Sequence, residues 1–257
     1  MIYVASRTGI NHEVCEDAVL VGTEVQRGSS ETLGVPEEGF VCLADGVGGN
    51  YGGAQASQFV LTALVELQTG EEDLREALSR INACLIEEAK KAPEVANMAT
   101  TLTGFFRSAT QSQLIHIGNT RAYIRQGRYL KQITSDHTTY NWLKSSGQLE
   151  AAEACNKNEI TNCFGGANES LLSKLVVTDL PPFSLMVITS DGVHEYVDLD
   201  TLEDILTGEG GYDDKCEALL NEAVKNGSED DMTIVVVIPE EQRGKNMIGA
   251  GCDSLCE

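Results

Sequence analysis

Hydrophobic positions follow two rhythms along this chain. Short apolar runs predict strands at Ile2 to Ser6, Ala18 to Thr23 and Gly39 to Ala44. The third run stops abruptly at Asp45-Gly46-Val47-Gly48-Gly49. The period then changes. Ala56, Phe59, Val60, Ala63, Leu64 and Leu67 recur at helical spacing, as do Leu74, Ala77, Leu78, Ile81, Leu85 and Ile86. Each set predicts a helix with one apolar stripe. Alternation returns at Thr101 to Arg107, Gln113 to Ile117 and Arg121 to Gln126, and the short turns between them predict an antiparallel meander. From about Thr134 to Gly166 the pattern is irregular, with one helix around Tyr140 to Ser146. Leu171 to Val177 and Leu185 to Thr189 read as strands joined across Pro181-Pro182. Tyr212 to Lys225 reads as a helix, and Met232 to Ile238 as a final apolar strand. Beyond Pro239 the chain is polar and glycine-bearing, a flexible tail over 240–257. This order predicts an α+β fold of stacked layers around one continuous core.

Charge narrows the partners. The formal net charge is −22, which opposes binding to nucleic acid or to an anionic membrane and favours divalent cations. Thirteen acids fall between Glu195 and Asp231 against only Lys215 and Lys225, and most of them read as a solvated surface. No apolar stretch reaches the ~18 residues of a membrane span, and Met1 to Gly9 lacks the pattern of a secretory signal, so a cytoplasmic protein is expected. The eight cysteines include no pair of CxxC elements; they read as reduced, with Cys84 on the apolar side of its helix.

The acids that matter stand where strands end. Glu16-Asp17 precedes Ala18, Asp45-Gly46 follows one apolar run, Asp191-Gly192 follows another, and Asp230-Asp231 precedes the last strand. A strand tip aims a carboxylate, and a following glycine permits close backbone approach. Any one of these dipeptides is ordinarily just a turn. Their combination suggests carboxylates converging on hard cations, since such a group repels itself without them. The twelve-residue spacing of an EF-hand is absent.

These residues resemble the PPM family, the type 2C protein serine/threonine phosphatases. Asp45-Gly46-Val47-Gly48-Gly49 with Gly52-Gly53 and Ala56-Ser57 resembles the family's DGxGG…AS element, and Gly9 to Asp17 its upstream segment ending in ED. Met98 to Thr101, Ile117 to Arg121, Thr134 to Thr138, Thr189 to Val193 and Gly227 to Thr233 follow in the family's order. The resemblance covers residues 1–239, with the family's flap at about 134–166. It implies a four-layer α-β-β-α sandwich, two antiparallel sheets flanked by helix pairs. It implies two manganese or magnesium ions: Asp45 bridging, Asp191 and Asp230 on one, Glu16 and the Gly46 carbonyl on the second, and Asp17 behind. It further implies a monomer that dephosphorylates a phosphoprotein in a circuit with a serine/threonine kinase.

The chain departs from the family pattern at several positions. His12 stands where the family grips phosphate with arginine, so His12 is the candidate catalytic residue beside Asp45 and Asp191; Arg7 could reach the same place. Asn119 replaces the aspartate of a third cation site, Glu195 replaces an aspartate, and Asp231 replaces an asparagine. These departures admit an alternative, a degenerate module that keeps the fold and binds a partner. His137 reads as a structural histidine of the flap, with a proton donor to the leaving group as the alternative; His116 reads as structural, His194 as a neighbour of the cation site, and Trp142 as a packing residue.

Overall fold

The structure is a computed structural model, and it describes residues 1–47, 52–67 and 73–239. Two six-stranded antiparallel sheets form its centre. One has the order Tyr129–Gln132, Arg121–Gln126, Met186–Thr189, Met232–Val237, Ile2–Arg7, Glu31–Leu33. The other has the order Val176–Asp179, Ser112–Ile117, Leu102–Arg107, Gly39–Ala44, Ala18–Gly22, Glu24–Gln26. The expected α-β-β-α sandwich is therefore present, and its core is in three parts. Val19, Val41, Leu43, Phe105, Ile188 and Val235 fill the space between the sheets. The stripes of Gly52–Glu66 and Leu74–Ala89 cover one outer face through Val60, Leu64, Leu78 and Leu85. Helices Leu199–Thr207 and Tyr212–Lys225 cover the other through Leu202, Leu206, Leu219 and Leu220. Strands buried on both faces need continuous apolar runs, which is why Gly39–Ala44 and Met232–Val237 were the plainest in the sequence.

Several expectations are corrected. The meander is not continuous. Leu102–Arg107 pairs with Ser112–Ile117, but Arg121–Gln126 joins the opposite sheet against Met186–Thr189. The chain crosses at Gly118, whose φ of 107° favours glycine. Glu169–Leu172 is a 3₁₀ turn capped by Asn168, and the strand begins later, at Val176. The 134–166 segment holds two short helices, Thr139–Ser145 and Leu149–Ala154, rather than one. Helix Leu199–Thr207 was missed, because its acids hide the buried pair Leu202 and Leu206. Cys84 is exposed rather than on the apolar side, and Trp142, at 61% exposure, is no packing residue. The expected tail lies outside the described residues, as do Gly48 and Gly49.

Candidate metal centre

The antiparallel registers bring the strand-tip acids to one edge of the sandwich. Ala18 pairs with Ala44, so Asp17 and Asp45 leave the same end of one sheet. Thr189 pairs with Ile234 in the other sheet, so Asp191 and the Asp230-Asp231 pair leave the adjacent end. Asp45 feels the charges of Asp191, Asp17 and Asp230, and Glu16 feels those of Asp230 and Asp231. Asp230 is exposed, Asp45, Asp191 and Glu16 are half-buried, and Asp17, only 1% exposed, lies behind them.

The backbone around these side chains is tightly held. Thr101 Oγ1 accepts from the Asp45 amide at 3.0 Å, and Thr100 Oγ1 donates to the Asp45 carbonyl at 2.9 Å. A Cβ on Gly46 would lie 2.3 Å from the Gly53 carbonyl carbon, and one on Gly53 2.5 Å from Glu16 Oε2. The glycines of this motif are thus required by close approach. Asp231 ties the two termini of the domain together: its Oδ1 accepts from Gly9 N at 2.8 Å, and its Oδ2 from Glu16 N at 2.6 Å. Oδ2 also meets His12 Nδ1 at 2.9 Å. Asparagine could not accept through both terminal atoms, so the aspartate at 231 suits a histidine at 12. The hydrogen bond to Asp231 raises the His12 pKa against the lowering effect of partial burial. His12, Asp230 and Asp231 each present a ligand atom within 4.8 Å of the others.

Arg7 does not reach this edge. Its Nη2 donates to Glu217 Oε2 at 3.2 Å and Asn221 Oδ1 at 3.1 Å, on the helix covering the outer face. Asn119 Nδ2 donates to Asp191 Oδ2 at 2.9 Å. Glu195 lies 3.5 Å from Arg121, which also grips Asp136 at 2.7 Å. His116 is structural, bonded to Thr103 and to the Ser135 carbonyl at 2.9 Å each. His194 is bonded to Thr189 Oγ1 at 2.9 Å. Arg27, beneath Glu16, lies in no sequence motif, and Thr100, Thr101, Ser57 and Asp231 hold main chain at the edge, a role that only the departure at 231, opposite the departure at 12, signals in the sequence.

The electrostatics fit a cation. Burial, then the Asp191 charge, pushes the Asp45 pKa well up. Burial and Asp230 push Asp191 up to about 6. Burial pushes Asp17 up to about 8. Neither Asp17 oxygen accepts a hydrogen bond, and Asn119 Oδ1 has no partner either. Buried oxygens without donors, among acids that hold protons against their mutual repulsion, are what a hard divalent cation relieves.

Known proteins with this pattern agree with the geometry. The family model described as protein phosphatase 2C matches residues 10–232. The serine/threonine phosphatase stp of Listeria welshimeri is 27% identical over 77% of this chain and 83% of its own length. The protein phosphatase PhpP of Streptococcus pneumoniae is 30% identical over 79% and 87%. A solved serine/threonine phosphatase of Staphylococcus aureus superposes with a TM-score of 0.75 at 26% identity, covering 93% of this chain and 94% of that one.

Proposed function

This chain belongs to the protein phosphatase 2C family and is a protein serine/threonine phosphatase, and we propose that Glu16, Asp45, Gly46, Asp191 and Asp230 hold the two divalent cations it works with. The observation that carries the assignment is the convergence of acids from both sheets on one edge, with Asp45 beside Asp191, Asp17 and Asp230. Asp45 would be shared between the two ions, Asp191 and Asp230 would hold one, Glu16 and the Gly46 carbonyl would hold the other, and Asp17 would stand behind. When bound, manganese or magnesium lowers the pKa of water and neutralises phosphoryl charge. The chain's own residues place the substrate. His12, with Nδ1 held by Asp231, offers Nε2 to a phosphoryl oxygen at the position where the family has arginine. The Thr100 and Thr101 hydroxyls fix the Asp45 peptide, and Asn119 orients Asp191.

The substrate is a phosphoserine or phosphothreonine protein, and we place it in a circuit with a serine/threonine kinase, acted on by a monomer. Six cysteines without a disulfide among the described residues support a reducing, cytoplasmic setting. No described helix is long and apolar enough to cross a membrane.

Manganese-dependent hydrolysis of para-nitrophenyl phosphate and of a phosphothreonine peptide tests the assignment. Asp45→Asn and Asp191→Asn are each expected to lower the rate by at least about a hundredfold while the protein stays folded. Wild-type protein that hydrolyses neither compound in excess manganese would overturn it.

A further inference from the structure

Arg27 lies beneath the acidic edge, outside every motif described above. It follows the short strand Glu24–Gln26 and precedes Gly28, whose φ of 59° turns the chain back beside Thr8 and Cys15. The half-buried guanidinium spans two elements. Nη1 donates to the Cys15 carbonyl, and Nη2 donates to the Ala54 carbonyl at 2.8 Å and to Ser57 Oγ at 3.0 Å. Ser57 Oγ in turn donates to the Glu16 carbonyl at 2.7 Å, and that carbonyl also accepts from Gly46 N at 3.2 Å. One cation therefore fixes the peptide before Glu16, the first turn of helix Gly52–Glu66 and, through Ser57, Glu16 itself. That helix start is the surface on which Glu16 rests, at Gly53.

We propose that Arg27 is a positioning residue of this phosphatase: it locks the Glu16 main chain onto the first turn of the Gly52–Glu66 helix and so presents the Glu16 carboxylate to its cation. The proposal rests on the assignment of Glu16 as a ligand. Arginine suits the task because its planar fork serves three acceptors at once and keeps its charge when partly buried, whereas lysine offers one point of attachment. Arg27 also sits in the field of Asp17, Asp231 and Glu16, so its charge offsets part of their repulsion. Removing it would loosen the Glu16 peptide and leave the Cys15 and Ala54 carbonyls without this donor.

The test is titration calorimetry of manganese into metal-free Arg27→Met, Arg27→Lys and Ser57→Ala, with melting curves and para-nitrophenyl phosphate kinetics at saturating manganese. Arg27→Met is expected to weaken manganese binding by about tenfold or more, the scale seen when a residue orienting a ligand is lost. Its KM is expected to stay within about threefold of wild type once manganese saturates. Arg27→Lys should fall between the two, and Ser57→Ala should weaken manganese binding in the same direction. A lowered melting temperature with unchanged manganese affinity would reduce Arg27 to a structural role and overturn the proposal. A raised KM with unchanged manganese affinity would make it a substrate contact, and overturn it equally. If Arg27→Met fails to fold, Ser57→Ala decides, since unchanged affinity there removes the proposed linkage. Wild-type protein that binds no manganese would instead sink the assignment of the metal centre, a separate result visible before any variant is made.

Discussion

At the acidic edge, side chains from both sheets meet through hydrogen bonds that join residues far apart in the chain, such as Gly9 N and Glu16 N to the Asp231 carboxylate. In the two short helices of the 134–166 segment, contacts are mostly local. Thr138 caps its own helix, Lys144 and Lys157 lie over the Tyr140 ring, and Glu153 pairs with Lys157 at 3.2 Å. Helix Thr139–Ser145 buries none of its residues, and Trp142 and Leu149 are each 61% exposed. The segment's main-chain ties to the body lie at its two ends, where His137 N donates to the Gly118 carbonyl at 2.8 Å and Gly166 N to the Met98 carbonyl at 3.0 Å. The edge is rigid in backbone and unsatisfied in charge. The two short helices between those ends bury only Ala152, the condition for opening at low free energy. The first arrangement calls for cations, and the second can change shape without disturbing them.

The same substitution in the two regions separates these constructions most sharply. Gly192 follows Asp191, and a Cβ there would lie 2.1 Å from the Asp231 carbonyl oxygen, a main-chain atom that cannot swing away. Gly192→Ala is expected to cost about 4 kcal/mol or more, through overpacking against fixed backbone. At Gly147, between the two short helices, φ is +79° and an added methyl would meet no atom within 4 Å. Gly147→Ala should cost only about 1 kcal/mol, the conformational penalty alone. Chemical denaturation of both variants measures the difference. Equal losses would mean that the segment is as firmly built as the edge.

Asp17 gives the next largest effect. Its pKa is raised by burial to about 8 from an ordinary value of 3.8. The folded state therefore holds a proton that the unfolded state has released, so stability is full below the unfolded pKa and is lost as pH rises through the folded one. Metal-free protein should lose about 3.5 kcal/mol between pH 5 and 8, and Asp17→Asn should flatten that decline. The amide can donate to the Ser190 and Thr233 hydroxyls, which an ionised carboxylate cannot do. Manganese should weaken the decline in wild type, because its charge nearby favours the ionised Asp17 carboxylate. Melting temperatures across pH, with and without metal, check both statements, and a metal-free protein equally stable at pH 5 and 8 would contradict them.

What the sequence disclosed follows from the range over which each feature is encoded. A strand covered on both faces must be apolar throughout, so Gly39–Ala44 and Met232–Val237 were legible, and the acids at their ends came with them. The glycines beside Asp45 and Asp191 were legible because close approach leaves a composition signal. The grip of Asp231 on Gly9 and Glu16 was not, since it joins residues more than two hundred positions apart. The same holds for Arg27, an arginine in a loop until the Gly52–Glu66 helix is placed beside it. The transfer of Arg121–Gln126 to the opposite sheet was hidden for another reason. A hairpin and a sheet-crossing corner both use Gly-Asn, and only the partner strand tells them apart.

His137, at the root of the 134–166 segment, carries the smallest effect and the opposite sign from Asp17. Burial lowers its pKa to about 4, with His116 and Lys174 adding to the shift. Nδ1 accepts from Gly118 N at 3.1 Å, and the ring packs against His116 at 4.8 Å between centroids. A proton on Nδ1 would remove that acceptor, so the folded state refuses a proton that the unfolded chain takes near its ordinary 6.5. The contribution is present above the unfolded pKa and is lost as pH falls through the folded one. Below about pH 6.5 the two groups therefore oppose each other in metal-free protein, Asp17 gaining stability as pH falls and His137 losing it, while above neutrality Asp17 acts alone of the two. His137→Asn keeps an acceptor for Gly118 but does not titrate, so the variant should gain stability relative to wild type as pH falls below about 6.5 and leave the decline above neutrality unchanged. An imidazole resonance followed by NMR should show no titration of His137 above about pH 5. A midpoint near 6.5 would place the ring in water, and the root of the segment would then be as open as its tip.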